Sequence, residues 1–197
     1  MNKTLVYLNK ELGFKTANGT DKNDHDYLRY YDEILGHKKS YIKNILEVGI
    51  GEGGSIILWS KFFPNYKEIH AFDILKYHPS SHALKIWEQL KNTSNIYLHT
   101  ETNAYDNNTV MNKLGNKKFD FILDDGPHTL ESQIEFIKIY KDYLSENGIL
   151  IIEDIKDLNH IPIFLNTVNP ELRYKCRHID CRNGKNSSDS IIFILDK

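Results

Sequence analysis

Two cysteines, five prolines and no long apolar run are all that this 197-residue sequence offers to disulfide-rich, proline-rich or membrane-spanning architectures. Cys176 and Cys181 are too few for a disulfide framework and are expected to be reduced, and no CxxC or His-rich spacing would hold zinc. A basic excess is missing too. Lys and Arg number 25 against 27 Asp and Glu, for a formal charge of -2, so the chain has no broad cationic surface for a phosphate backbone and a nucleic-acid acceptor is disfavoured. The opening MNKTLVYLNKELGF interrupts its apolar residues with Asn9, Lys10 and Glu11 before a signal core could form, which leads us to expect a cytoplasmic protein without membrane contact. There is no internal repeat and no low-complexity linker. The length suits one domain spanning 1–197, with the first 20 residues, rich in Lys, Asn and Thr, expected to be loosely attached.

What is present is an alternation of apolar runs and amphipathic stretches. NILEV at 44–48 ends at Gly49, Gly51, Gly53 and Gly54, giving a buried strand, a tight loop and then a helix, SIILWSKFF, closed by Pro64. EIHAFDI, NIYLHT, FDFILDDG and ILIIEDI supply four more strands. Between them lie the helical stretches HALKIWEQLKN, NNTVMNKLG and LESQIEFIKIYKDYL, the last taken to end at Leu144, and a short helix follows around HIPIFLNTV. Strands alternating with helices require a parallel sheet covered on both faces. YKCRHIDCR and SIIFILDK are separated only by the polar turn NGKNSSD, too short for a crossover helix, so they should pair antiparallel. The expected fold is therefore α/β: a Rossmann-like class I methyltransferase sandwich, mostly parallel, with a C-terminal antiparallel hairpin.

Within the loop Glu47-Val-Gly-Ile-Gly-Glu-Gly-Gly-Ser55, glycine permits the sharp turn and the close approach of a ligand to backbone amides. A glycine-rich turn alone is weak evidence, since many α/β proteins use one only to pack a helix. Its pairing with an acid at the end of each flanking strand, Glu47 and Asp73, is more specific. Asp73 stands roughly 20 residues beyond the loop, where an acid reaches ribose hydroxyls. It suits NAD or S-adenosylmethionine equally. The cofactor set is thus Glu47, Gly49, Gly51, Gly53, Ser55 and Asp73, with Thr102 and Asn103 after the third strand where an adenine edge would be met.

Asp124, Asp125 and His128 close the fourth strand and Glu153 and Asp154 the fifth, and in a parallel sheet those ends lie side by side. Converging carboxylates repel, and a hard divalent cation such as Mg²⁺ relieves the repulsion while orienting and acidifying a hydroxyl. An imidazole titrating near neutrality is suited to take a proton. Asp124 is better explained as a cap of the following helix, whereas the shared location of Asp125, His128 and Asp154 favours function.

These blocks together resemble the metal-dependent sugar O-methyltransferases of the mycinamicin and rhamnosyl-antibiotic type. The matching segments are GTDK at 19–22 with His25, Tyr27 and Tyr31, LEVGIGEGGSIILWSKFFPN, FDFILDDGPH and NGILIIEDI. The resemblance implies S-adenosylmethionine as donor, Mg²⁺ held by Asp125 and Asp154 with Glu153 nearby, His128 as general base, and a small-molecule or glycan acceptor such as a deoxysugar. Pro127 departs from the family, which usually has Ser there. Two other functions compete: a noncatalytic cofactor-binding or interaction module, and an NAD-dependent oxidoreductase, disfavoured by a loop that departs from G-x-G-x-x-G and by the terminal hairpin. Homo-oligomerisation stays open.

Overall fold

The computed structural model describes residues 3–15, 18–76, 83–182 and 189–197. Its strands are β1 (Asn44–Val48), β2 (Glu68–Phe72), β3 (Ile96–His99), β4 (Phe119–Asp124), β5 (Leu144–Ile152), β6 (Cys176–Asp180) and β7 (Ile191–Asp196). They form one sheet in the order β3-β2-β1-β4-β5-β7-β6. The first five run parallel; β7 inserts antiparallel beside β5, and β6 pairs antiparallel with β7. This is the mostly parallel, hairpin-terminated α/β fold that the pattern of runs predicts. The part of the expected polar turn at 183–188 lies outside the described residues.

Both faces of the sheet are covered. Helices α1 (Leu5–Leu12), α2 (Tyr27–Leu35), α3 (Gly54–Phe62) and α4 (Leu84–Lys91) pack Leu5, Leu28, Trp59 and Leu90 on the face carrying Ile45, Phe121 and Ile149. Helices α5 (Asn107–Leu114), α6 (Leu130–Tyr140) and α7 (His160–Thr167) pack Val110, Phe136 and Phe164 on the face carrying Leu46, Ile122 and Leu150. Consecutive strand residues point to opposite faces, so a strand buried at consecutive positions, such as β1 at 45–48 or β5 at 149–152, has to be sandwiched.

One expectation needs correction. Leu144 fits the phase of the preceding helix but begins β5 opposite Phe119; α6 stops at Tyr140, and the register with β4 slips between Phe119 and Phe121. An apolar residue three or four places past a helix end satisfies either period, and the strand pairing decides. The N-terminal helix packs on the rest of the chain. Thr4 caps α1 by accepting from the Tyr7 amide at 3.1 Å, and the Asp32 carboxylate of α2 accepts from the Leu5 and Val6 amides at 2.6 and 3.3 Å. Leu5 and Leu8 are buried against the core.

The GTDK segment is then fixed on the first turn of α3, where the Gly54 amide donates to Gly19 O at 3.0 Å. A Cβ on Gly54 would lie 2.3 Å from the Gly19 carbonyl carbon. Because the obstruction is backbone, the substitution Gly54→Ala should displace residues 18–22 and destabilise the protein by about 1–3 kcal/mol. Urea unfolding measures this, and wild-type stability in that variant would mean that the segment is not held against α3.

Candidate functional site

The carboxyl ends of β2, β1, β4 and β5 are cross-linked into one row. The Gly49 amide donates to Phe72 O at 2.9 Å, Asp125 N to Val48 O at 2.8 Å and Glu153 N to Asp124 O at 3.0 Å. Gly49 has φ +95°, and a Cβ there would sit 1.9 Å from Asp125 O, so only glycine allows this approach. Gly53 (φ +82°) packs against Leu90 of α4, whereas Gly51 (φ +50°) has nothing within 4 Å of its Cβ position. Ser55 is buried in the first turn of α3.

That row borders a cavity of about 540 Å³ walled by Gly49, Gly51, Asp73, Asn103, Tyr105 and Asp125. A second cavity of about 380 Å³ shares Gly51, Asp73 and Leu75 with it and ends at Trp87 and Thr100. Asp73 is fixed between the two: one carboxylate oxygen accepts from Ile50 N at 3.1 Å and the other from Leu75 N at 2.9 Å. A carboxylate has about four lone-pair sites, so acceptor capacity is left over toward the cavities. Thr102 is buried, with its hydroxyl turned back to Thr100 O and its amide on Asp73 O; Asn103 accepts from Tyr105 N through its side-chain oxygen.

Behind the row is a dry cluster of charges. The Lys22 ammonium, 1% exposed, lies 2.5 Å from Asp125 Oδ2, 2.5 Å from Glu153 Oε2 and 3.8 Å from Glu47 Oε1. Tyr31 donates to Glu153 Oε1 at 2.5 Å, and the Trp59 indole donates to Glu47 Oε2 at 2.8 Å. Burial works to lower the Lys22 pKa, but the charges of Asp125, Glu153 and Glu47 hold it well above the ordinary lysine range, so the residue stays cationic. Burial pushes Glu47 up to about 7 against the pull of Lys22, and Glu153 rises well above the usual carboxylate range for the same reason. Sequence reasoning took GTDK only as one of the segments carrying the resemblance and missed Lys22. The available signal was an imbalance: strand ends carrying several acids and no cation need one supplied by another segment.

On the open side, ligand atoms of Asp125, His128 and Asp154 converge within 4.8 Å of one another. His128 Nε2 lies 3.4 Å from Asp154 Oδ2 and 3.9 Å from Asp125 Oδ1. Tyr27 donates to Asp154 Oδ1 at 2.7 Å while accepting from the Asp154 amide at 3.2 Å. A second group, His25, Asp154 and Asp189, meets the same distance criterion. Glu153 belongs to neither, because both of its oxygens are taken by Lys22 and Tyr31. His128 and Asp154 have φ of +57° and +53°, a left-handed backbone that costs a non-glycine residue on the order of 1–3 kcal/mol and that accumulates where geometry serves function.

Asp124 does not cap α6. Thr129 does, in a reciprocal pair with Ser132, while Asp124 is buried, accepts from the Tyr105 hydroxyl at 2.6 Å and is pushed by burial up to about 7. Gly126 makes that contact possible, since its Cβ would lie 1.9 Å from the Tyr105 oxygen.

Residues 46–155 match the model of a methyltransferase-domain family, and because that is more than half of the chain, the protein belongs to this family. Among solved structures it is similar to MycE methyltransferase from the mycinamycin biosynthetic pathway in complex with Mg, SAH and mycinamycin VI, at 17% identity and a TM-score of 0.68 over 99% of this chain. The chain spans about half, 55%, of the MycE chain. It is likewise similar to an O-methyltransferase from Bacillus cereus in complex with SAH (13% identity, TM-score 0.63, 98% of this chain and 89% of that one). An rRNA methylase from Streptococcus thermophilus also matches (15% identity, TM-score 0.59, 85% of this chain and 94% of that one). At these identities the likeness establishes the fold. No curated protein matches the sequence. No helix among the described residues is long and apolar enough to cross a membrane.

The raised Glu47 pKa has a measurable consequence. A group whose pKa is higher in the folded state contributes stability below its unfolded value and loses it as pH rises through the folded value, here about 7. The Glu47→Gln variant should therefore gain stability relative to wild type between about pH 5 and about pH 8 in denaturant titrations. A stability difference independent of pH would show that Glu47 is ionised throughout.

Proposed function

We propose that the protein transfers the methyl group of S-adenosylmethionine to a hydroxyl of a sugar or glycan, a deoxysugar such as rhamnose being favoured, with assistance from Mg²⁺. The observation that carries this reading is the adjacency of two features: a cavity lined by Gly49, Gly51 and Asp73, and the Asp125, His128 and Asp154 group at its edge, with Asp125 common to both.

The donor fits the residues present. Gly51 leaves its backbone open to the cavity, Asp73 retains acceptor sites for ribose hydroxyls, and Thr102 and Asn103 stand at the far wall for the base. Glu47 is buried behind the loop, with Ser55 in the first turn of the helix that follows. A hard cation fits as well: Asp125 and Asp154 offer carboxylate oxygens that converge beside His128, and repulsion between the two carboxylates gives the ion a role. When bound, such an ion supplies Lewis-acid polarisation of the acceptor hydroxyl.

The chain's own residues do the rest. Tyr27 fixes Asp154 through two hydrogen bonds, and Lys22 fixes Asp125 through Oδ2, leaving Asp154 Oδ2 and Asp125 Oδ1 toward the opening. His128, 30% exposed, places Nε2 at the opening beside Asp154, where it would accept the acceptor's proton and pass it to water. Loss of that proton makes the hydroxyl oxygen a competent nucleophile toward the donor's methyl carbon. The charge balance offers no polyanion site, which favours a neutral acceptor over nucleic acid even though rRNA methylases share the fold.

Mass spectrometry of deoxysugars and glycosides incubated with labelled donor tests the acceptor, and methylation of RNA or protein with no sugar product would overturn that assignment. For the chemistry, His128→Ala should lower kcat by roughly 10²- to 10⁴-fold with donor binding intact, and chelation should abolish turnover. Full turnover in excess chelator would remove the metal from the reaction. For the donor site, Asp73→Asn should weaken S-adenosylhomocysteine in calorimetry by about 1.5–3 kcal/mol. The amide keeps an acceptor for one of Ile50 N and Leu75 N and turns its NH2 toward the other, so urea unfolding accompanies the titration, and unchanged affinity in the folded variant would put the ribose elsewhere.

A further inference from the structure

The turn that carries Gly126, Pro127 and His128 is held less by its own backbone than by a side chain from another segment. Among the described residues none of the three makes a backbone–backbone hydrogen bond, and Pro127 has no N–H to give. The last link to the sheet is Asp125 N on Val48 O at 2.8 Å, and the next anchor is the Thr129 cap of α6. Yet His128 sits at φ +57°, a conformation that persists only where its surroundings over-determine it. The support comes from Tyr105. Its hydroxyl donates to Asp124 Oδ1 at 2.6 Å and lies against Gly126, where a Cβ would stand 1.9 Å from the phenol oxygen. The Gly126 amide faces the same Asp124 carboxylate. Tyr105 is anchored in turn: its amide donates to Asn103 Oδ1 at 3.0 Å, and buried Tyr140 of α6 donates to Ala104 O at 2.9 Å. On its other side Tyr105 walls the cavity of about 540 Å³.

We propose that Tyr105 is a positioning residue that couples the donor cavity to the turn bearing Asp125 and His128. Tyr105 stands between that turn and the cavity, so the open volume is where its ring can swing away. A nucleoside in the cavity closes that direction, keeps the hydroxyl on Asp124, and so holds His128 in its left-handed place beside Asp154. Binding and chemistry are then linked, because the turn is completed only with the donor in place. The inference rests on the donor part of the reading above and needs neither the metal nor the identity of the acceptor.

The test is backbone amide NMR relaxation of the full chain, with and without S-adenosylhomocysteine at concentrations that calorimetry shows to be saturating for each variant. It is read at His128, which does not itself wall the cavity. In wild type the His128 order parameter should rise on saturation to about 0.85, the value of rigid backbone, whereas in saturated Tyr105→Phe it should stay below about 0.6. Asp124→Asn keeps a carbonyl oxygen for the Tyr105 hydroxyl and should respond like wild type. A general loss of packing would loosen core amides as well and would not be rescued in that way. Tyr105→Phe leaves a buried carboxylate short of a partner, so the double variant Tyr105→Phe/Asp124→Leu, which removes both ends of the hydrogen bond, is measured beside it and should be as mobile at His128. A rigid His128 in either folded variant, a mobile one in saturated Asp124→Asn, or a wild-type order parameter that S-adenosylhomocysteine leaves unmoved would overturn the proposal. If neither Tyr105 variant folds, the hydrogen bond serves the fold and the proposal also fails. A wild type that binds no S-adenosylhomocysteine would refute the donor reading and the proposal with it, whereas normal binding with an unresponsive turn refutes the proposal alone.

Discussion

The arrangement of this site depends on one electrostatic constraint: five carboxylates end the central strands of a parallel sheet, and each must be neutralised or hydrogen-bonded for the row to stand. Uncompensated burial of even one carboxylate costs several kcal/mol. The solution here is distributed. Tyr105 serves Asp124, Tyr27 serves Asp154, Trp59 serves Glu47, and Lys22 with Tyr31 serves the inner acids. Three of these partners, Lys22, Tyr27 and Tyr31, come from the N-terminal segment that folds over the sheet mouth before β1 begins. That segment is therefore structural support for the site, and its seating on Gly54 and on the Asp32 cap of α1 belongs to the same design.

Neutralisation divides the mouth into two compartments. The inner one is dry and closed, with Glu47, Glu153 and Lys22 almost fully buried. The outer one, formed by Asp125 Oδ1, His128 and Asp154 Oδ2, opens on the cavity that the glycine loop borders. Asp125 belongs to both, with one oxygen in each. The left-handed backbone at His128 and Asp154 turns the chain sharply just after β4 and β5, which is how two residues beyond strand ends direct their side chains to one point.

The sequence made the fold legible because its strands are buried on both faces and stand out as uninterrupted apolar runs between turn residues. Ambiguity was confined to places where one residue satisfies two periods, as at Leu144. The acids were legible for a related reason: Asp124, Asp125, Glu153 and Asp154 close apolar runs and Glu47 lies one residue before the end of another, so their positions at strand carboxyl ends followed from the runs themselves. Their partners were not legible. Lys22 is separated by 103 residues from Asp125 and by 131 from Glu153, and nothing local to GTDK signals burial of a lysine. Glu153 illustrates the same limit, since its position beside Asp154 suggested a shared ligand role, whereas alternation after the strand sends its carboxylate inward to Lys22 and Tyr31. The N-terminal helix was missed because it is only eight residues long and its anchors, among them Leu5, Leu8 and the Asp32 carboxylate, include a partner distant in sequence.

Anomalous diffraction from crystals grown with S-adenosylhomocysteine and Mn²⁺ tests the central claim most directly, because it locates ion and donor product in one experiment. The account predicts one Mn²⁺ peak between Asp125 Oδ1 and Asp154 Oδ2, with the nucleoside along Gly49–Gly51 and its ribose on Asp73. A peak elsewhere, or a fully occupied donor site with no ion at the mouth, would contradict it.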